Sequence, residues 1–69
     1  MEMIAINKNR TRDTATIPSL GMLAYRIFPD TECINIQLLS GTQEECTVPF
    51  KDGGLFVLRG VEVRLEMID

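Results

Sequence analysis

Histidine and tryptophan are absent from this chain, and among its 69 residues tyrosine occurs once, cysteine twice and proline three times. Without histidine the usual group for proton transfer near neutral pH is missing. Neither cysteine has an imidazole partner to make it a thiolate nucleophile. Two cysteines with no C-x-x-C spacing cannot complete a tetrahedral zinc site without carboxylates or a second subunit. We therefore expect no catalytic residue, no metal, no cofactor and no enzyme activity. No run approaches the roughly 18 apolar residues of a membrane span, and the N-terminus lacks the continuous apolar segment of a signal peptide. A cytoplasmic protein that does not engage a membrane is the expectation. Two cysteines are also far from the density of a secreted disulfide scaffold. Cys33 and Cys46 are expected to be reduced and buried. A Cys33–Cys46 bridge is the alternative, and it needs their Cα atoms within about 7 Å.

What is present is a balanced, mildly acidic composition. The hydrophobic fraction is 45% and the net charge is −3, ordinary for a folded chain and too apolar for a disordered one. The acidic excess argues against non-specific attraction to nucleic acid or anionic lipid. A chain this short buries only roughly 60% of its unfolded surface, so its core needs support. With a metal staple disfavoured and disulfides scarce, a homodimer that covers an edge strand is the favoured source.

Alternation of apolar and polar residues dominates the chain. Val61, Val63, Leu65 and Met67 alternate with Glu62, Arg64 and Glu66, the period of a strand with one dry face. Leu55 to Leu58 is continuously apolar and reads as a central strand covered on both faces. Arg59-Gly60 joins these two as a hairpin turn. Ile34, Ile36 and Leu38 alternate with Asn35 and Gln37, and Cys46, Val48 and Phe50 alternate with Glu45 and Thr47. Pro49 predicts a sheet edge or a bulge there, because it lacks a ladder N–H. Met1 to Ile6 and Thr14 to Ile17 read as further strands, the latter ended by Pro18. Ser40-Gly41-Thr42 and Lys51-Asp52-Gly53-Gly54 read as turns. Asp52-Gly53-Gly54 is not followed by the lysine and hydroxyl residue of a P-loop. Residues 19–27 are ambiguous. Leu20, Leu23, Ala24 and Ile27 would stripe a helix, but Tyr25, Ile27 and Phe28 favour a strand. The fold class is mainly β: a small antiparallel barrel or sandwich of six or seven short strands in one compact domain, 1–69, with a short helix at about 19–27 as the alternative.

Candidate binding residues are few. Lys8, Arg10 and Arg12 fall at alternate positions, and an extended loop would aim all three to one side, suited to phosphates. Arg26 is the fourth cation of this candidate site for a partner or nucleic acid. Glu62 and Glu66 share a strand face with Arg64 between them, a self-neutralising solvated array rather than an acid–base pair. Met3 and Met67 would mark an interface if they shared an outer face. Ser19-Leu20-Gly21-Met22 resembles a short string of FeoA-type SH3-like modules. Those modules carry a glycine-proline region next, where this chain has Leu23-Ala24-Tyr25-Arg26, and no family is assigned.

The expected function is a non-enzymatic protein–protein interaction module, a homodimer acting as a small regulator, inhibitor or assembly component of bacterial or phage origin. The alternative is a dimeric nucleic-acid-binding regulator that uses the basic 8–12 loop.

Overall fold

The computed structural model describes residues 1–41, 43–51 and 53–68. Seven strands follow in order: β1 (Glu2–Asn7), β2 (Arg12–Ile17), β3 (Gly21–Phe28), β4 (Cys33–Leu38), β5 (Glu45–Pro49), β6 (Leu55–Leu58) and β7 (Val61–Ile68). Two sheets face each other, a three-stranded one ordered β1-β7-β6 and a four-stranded meander ordered β2-β3-β4-β5. This is the mainly β sandwich that the alternating pattern implies. Thr42 and Asp52, read above as turn residues, lie outside the described residues.

One strand pair departs from the antiparallel expectation. β1 and β7 run parallel, Ile4 opposite Leu65 and Ile6 opposite Met67. The reason is parity. In a meander each strand reverses the last, so the first and seventh point the same way and can meet only in parallel. The ladder continues past β1, where Lys8 N–H donates to Ile68 O at 2.9 Å.

Residues 19–27 are not helical. Gly21 has φ +91°, outside the right-handed helical region, and starts strand β3. From there Leu23, Tyr25 and Ile27 point inward while Met22, Arg26 and Phe28 point outward. The terminal hairpin is correct, but its two strands exchange roles. β7 is central and β6 is the edge, so the Leu55–Leu58 run is not covered on both faces. Phe56 and Leu58 are buried, whereas Leu55 and Val57 are 54% and 57% exposed. Arg59 (φ +48°) and Gly60 (φ +76°) form the turn between them, the two positive-φ residues of a type I′ hairpin. At the other end of β6, Gly54 lies so close to β7 that a Cβ there would sit 2.8 Å from Leu65 Cβ.

Between the sheets lies one core. Ile4, Ile6, Phe56, Leu58, Val63 and Leu65 come from one layer, and Ile17, Leu23, Tyr25, Ile27, Ile34, Ile36, Leu38 and Val48 from the other. Tyr25 brings its hydroxyl to the facing sheet, where it accepts from Asn7 N–H at 3.4 Å. The sheets are tied at one end by Glu2, whose carboxylate accepts from both the N–H and the hydroxyl of Ser19. Arg59 ties the same end further round. Its Nη2 donates to Ser40 O at 2.7 Å and its N–H to Glu44 Oε2 at 3.1 Å. Ser40 Oγ in turn donates to Leu20 O.

Candidate functional site

The basic residues do not form an extended strip. Arg10 N–H donates to Asn7 O at 3.1 Å, and Asn9 N–H to Asn7 Oδ1 at 2.9 Å. The segment is thus a tight turn between β1 and β2, with Asn7 accepting across it. Lys8 and Arg10 stand on that turn, and Arg10 is 4.0 Å from Asp13. Arg12 and Arg26 are brought together instead. They are direct cross-strand partners on the outer face of β2 and β3. The guanidinium of Arg26 lies 4.9 Å from the centroid of the Phe28 ring, a cation–π contact that restricts the long side chain.

The other sheet presents a different surface. Met1, Met3, Leu55, Val57 and Ile68 are all exposed apolar residues, and Met3, Leu55, Val57 and Ile68 stand on the outer face of β1-β7-β6. Glu62, Arg64 and Glu66 run down the middle of that face on β7. Met1, Gly53, Leu55 and Arg64 line a shallow concavity of ≈230 Å³ at its β6 side. Met3 and Met67 do not share the face. Met67 turns inward against the core, because it has the parity of Val63 and Leu65.

The edge of β6 has its own geometry. Leu65 N–H donates to Gly54 O, and the register pairs Phe56 with Val63 and Leu58 with Val61. Alternation along an antiparallel ladder then turns the backbone N–H and C=O of Leu55 and Val57 away from β7. No strand pairs with that side among the described residues. The same two residues therefore offer apolar side chains and unpaired backbone. Sequence reasoning missed them. The available signal was that Leu55, Phe56, Val57 and Leu58 put apolar groups on both faces, which means either two covers or one exposed apolar face.

The remaining chemistry is sparse. Cys33 and Cys46 are free and half-buried, rather than buried as expected. They point to opposite faces: Cys33 shares the outer face with Asn35, while Cys46, opposite Ile36, packs inward. The bridge considered above is therefore sterically barred. Burial first, then Glu44 and Glu45, pushes the Cys46 thiol up, which suppresses its thiolate. Hydrogen bonds from Ser19, hydroxyl first and N–H second, hold the Glu2 carboxyl below its ordinary value. Among the described residues no three potential metal ligands cluster, and no helix is long and apolar enough to cross a membrane. No known protein family, curated protein or solved structure matches this chain.

Proposed function

We propose that this protein is a non-enzymatic protein–protein interaction module that docks its partner on the β6 edge and the adjoining outer face of β1-β7-β6. The observation that carries this reading is the pairing of unpaired backbone with exposed side chains at Leu55 and Val57. A strand edge of this kind is a template for another strand. The apolar side chains on that edge, Leu55 and Val57, are more than half exposed, and burying them against a partner strand is favourable.

The occupant that fits best is a second copy of the chain. An antiparallel β6–β6 pairing about a two-fold at Phe56 sets Leu55 of each protomer opposite Val57 of its partner. That supplies the missing backbone bonds reciprocally and gathers four apolar side chains on one face. β6 has only four residues, so the interface is small and the dimer weak. A homodimer of this form suits a small regulator, inhibitor or assembly component working in the cytoplasm of a bacterium or on behalf of a phage. The lack of histidine, the separation of the two thiols and the Glu62–Arg64–Glu66 alternation on an open face support a binding role over catalysis.

Sedimentation velocity over a concentration series tests this. The expected result is a rise from the 7.8 kDa monomer toward twice that mass, abolished by Val57→Lys, whose exposed position leaves the core intact. A wild-type chain that stays monomeric throughout, or a Val57→Lys chain that dimerises equally, overturns the reading.

A further inference from the structure

The outer face of β2-β3-β4-β5 carries a row of hydrogen-bond donors, and we infer that this row binds the phosphates of a single-stranded nucleic acid. The inference goes beyond the protein-docking role and involves the opposite sheet. Arg12 stands opposite Arg26, Arg26 opposite Asn35, and Asn35 opposite Thr47. With strands roughly 4.8 Å apart, the row spans about 14 Å.

Its centre is electrostatically costly without an anion. Ile27 N–H donates to Thr11 O at 2.8 Å, which makes 11 and 27 a hydrogen-bonded pair. Arg12 and Arg26, one residue on, are then a non-hydrogen-bonded pair, with Cα atoms about 4.5 Å apart. Like charges so placed repel. Among the described residues neither guanidinium has a carboxylate within 4.0 Å. Glu45 is the one acidic side chain on this face of the four strands, in the next row and separated from Ala24 by Gln37. A phosphate between the two arginines would relieve the repulsion and could be held bidentately.

Neighbouring groups extend the site. Stacking on Phe28 restrains Arg26 and leaves its N–H groups for hydrogen bonds. The Asn35 amide donates to Thr47 Oγ1 at 3.2 Å and to Cys46 O at 3.5 Å, so its N–H groups are committed within the sheet and the Thr47 hydroxyl is the donor at the far end of the row. Lys8 and Arg10 stand apart from this row, on the Asn7 turn that precedes Arg12, with Arg10 4.0 Å from Asp13. Phe28, 37% exposed on this face and carrying the Arg26 guanidinium on its ring, is the one aromatic side chain beside the arginine pair.

Fluorescence anisotropy with a short labelled oligouridine, at low and moderate salt, is the test. Arg12→Gln plus Arg26→Gln should weaken binding roughly tenfold and flatten the slope of log K against log salt by about 1.4, the value for two lost phosphate contacts on a single strand. Lys51→Gln, which removes charge away from the row, should leave binding within about twofold. Absence of oligouridine binding at low salt overturns the inference. So does a loss on Lys51→Gln as large as that of Arg12→Gln alone. If inorganic phosphate shifts the arginine side-chain resonances while the oligonucleotide does not bind, the ligand is free phosphate and the nucleic-acid assignment falls.

Discussion

At the scale of single residues, Glu2 and Ser19 make the most telling contact. Their sequence separation is 17, and they join the start of β1 to the turn between β2 and β3. The folded protein holds the Glu2 carboxyl below its ordinary value of 4.5, through the Ser19 hydroxyl first and its N–H second. The native state thus binds fewer protons than the unfolded chain around that pH. The contact's stabilisation is complete above the unfolded value and is lost as pH falls through the lower folded one. Ser19→Ala should move the Glu2 titration, followed by carboxyl NMR, upward toward 4.5. Acid unfolding should begin at a higher pH in that variant. An unshifted titration would mean that the hydroxyl contributes nothing.

Strands are the next scale, and here a cost and a safeguard are both visible. Pro49 is set safely at an edge. The flanking bonds Leu38 N–H to Glu44 O and Phe50 N–H to Glu32 O put Pro49 in a non-hydrogen-bonded pair with Cys33. Its missing N–H would face away from β4, so the ladder loses nothing and the free edge is blunted. The Arg12–Arg26 pair is the reverse case, a locally unfavourable choice on two paired strands. Arg12→Glu converts repulsion into attraction and should raise stability by about 0.5 kcal/mol, read as a higher melting temperature. The same change should remove oligouridine binding. Stability gained while binding is lost is the behaviour of a residue kept for a ligand rather than for the fold.

For the molecule as a whole, closure depends on β1. It adds Ile4 and Ile6 to the core, and Ile6 is fully buried. Removing such a side chain costs about 2–5 kcal/mol, against the roughly 3–5 kcal/mol a core of this size supplies. Ile6→Ala should therefore leave the chain largely unfolded at 25 °C by circular dichroism. Dimerisation through β6 would restore part of that margin by mass action, so the variant's helix-free far-ultraviolet spectrum should recover as concentration rises.

Much of the architecture is determined by the sequence alone. Period-two alternation names most of the strands and most of their inward residues, because side chains of a strand must point alternately to opposite faces. Leu23, Ile34, Ile36, Val48, Val63 and Leu65 are all legible this way. Alternation leaves 19–27 open between helix and strand, however, and cannot give the Leu55–Leu58 run its single buried face. Pro49 narrows its strand to an edge or a bulge for a reason contained in one residue, and the structure shows the edge. What alternation cannot carry is which strands become neighbours. The parallel β1–β7 pairing, the edge position of β6 and the opposition of Arg12 to Arg26 join residues far apart in the chain, or depend on where a turn sets the register. Lys8, Arg10 and Arg12 look like a strip in sequence, yet the Asn7 turn breaks it, and Arg26 becomes Arg12's partner only when β3 folds back on β2. Both candidate surfaces were decided there, by tertiary pairing acting on residues whose local pattern had been satisfied already.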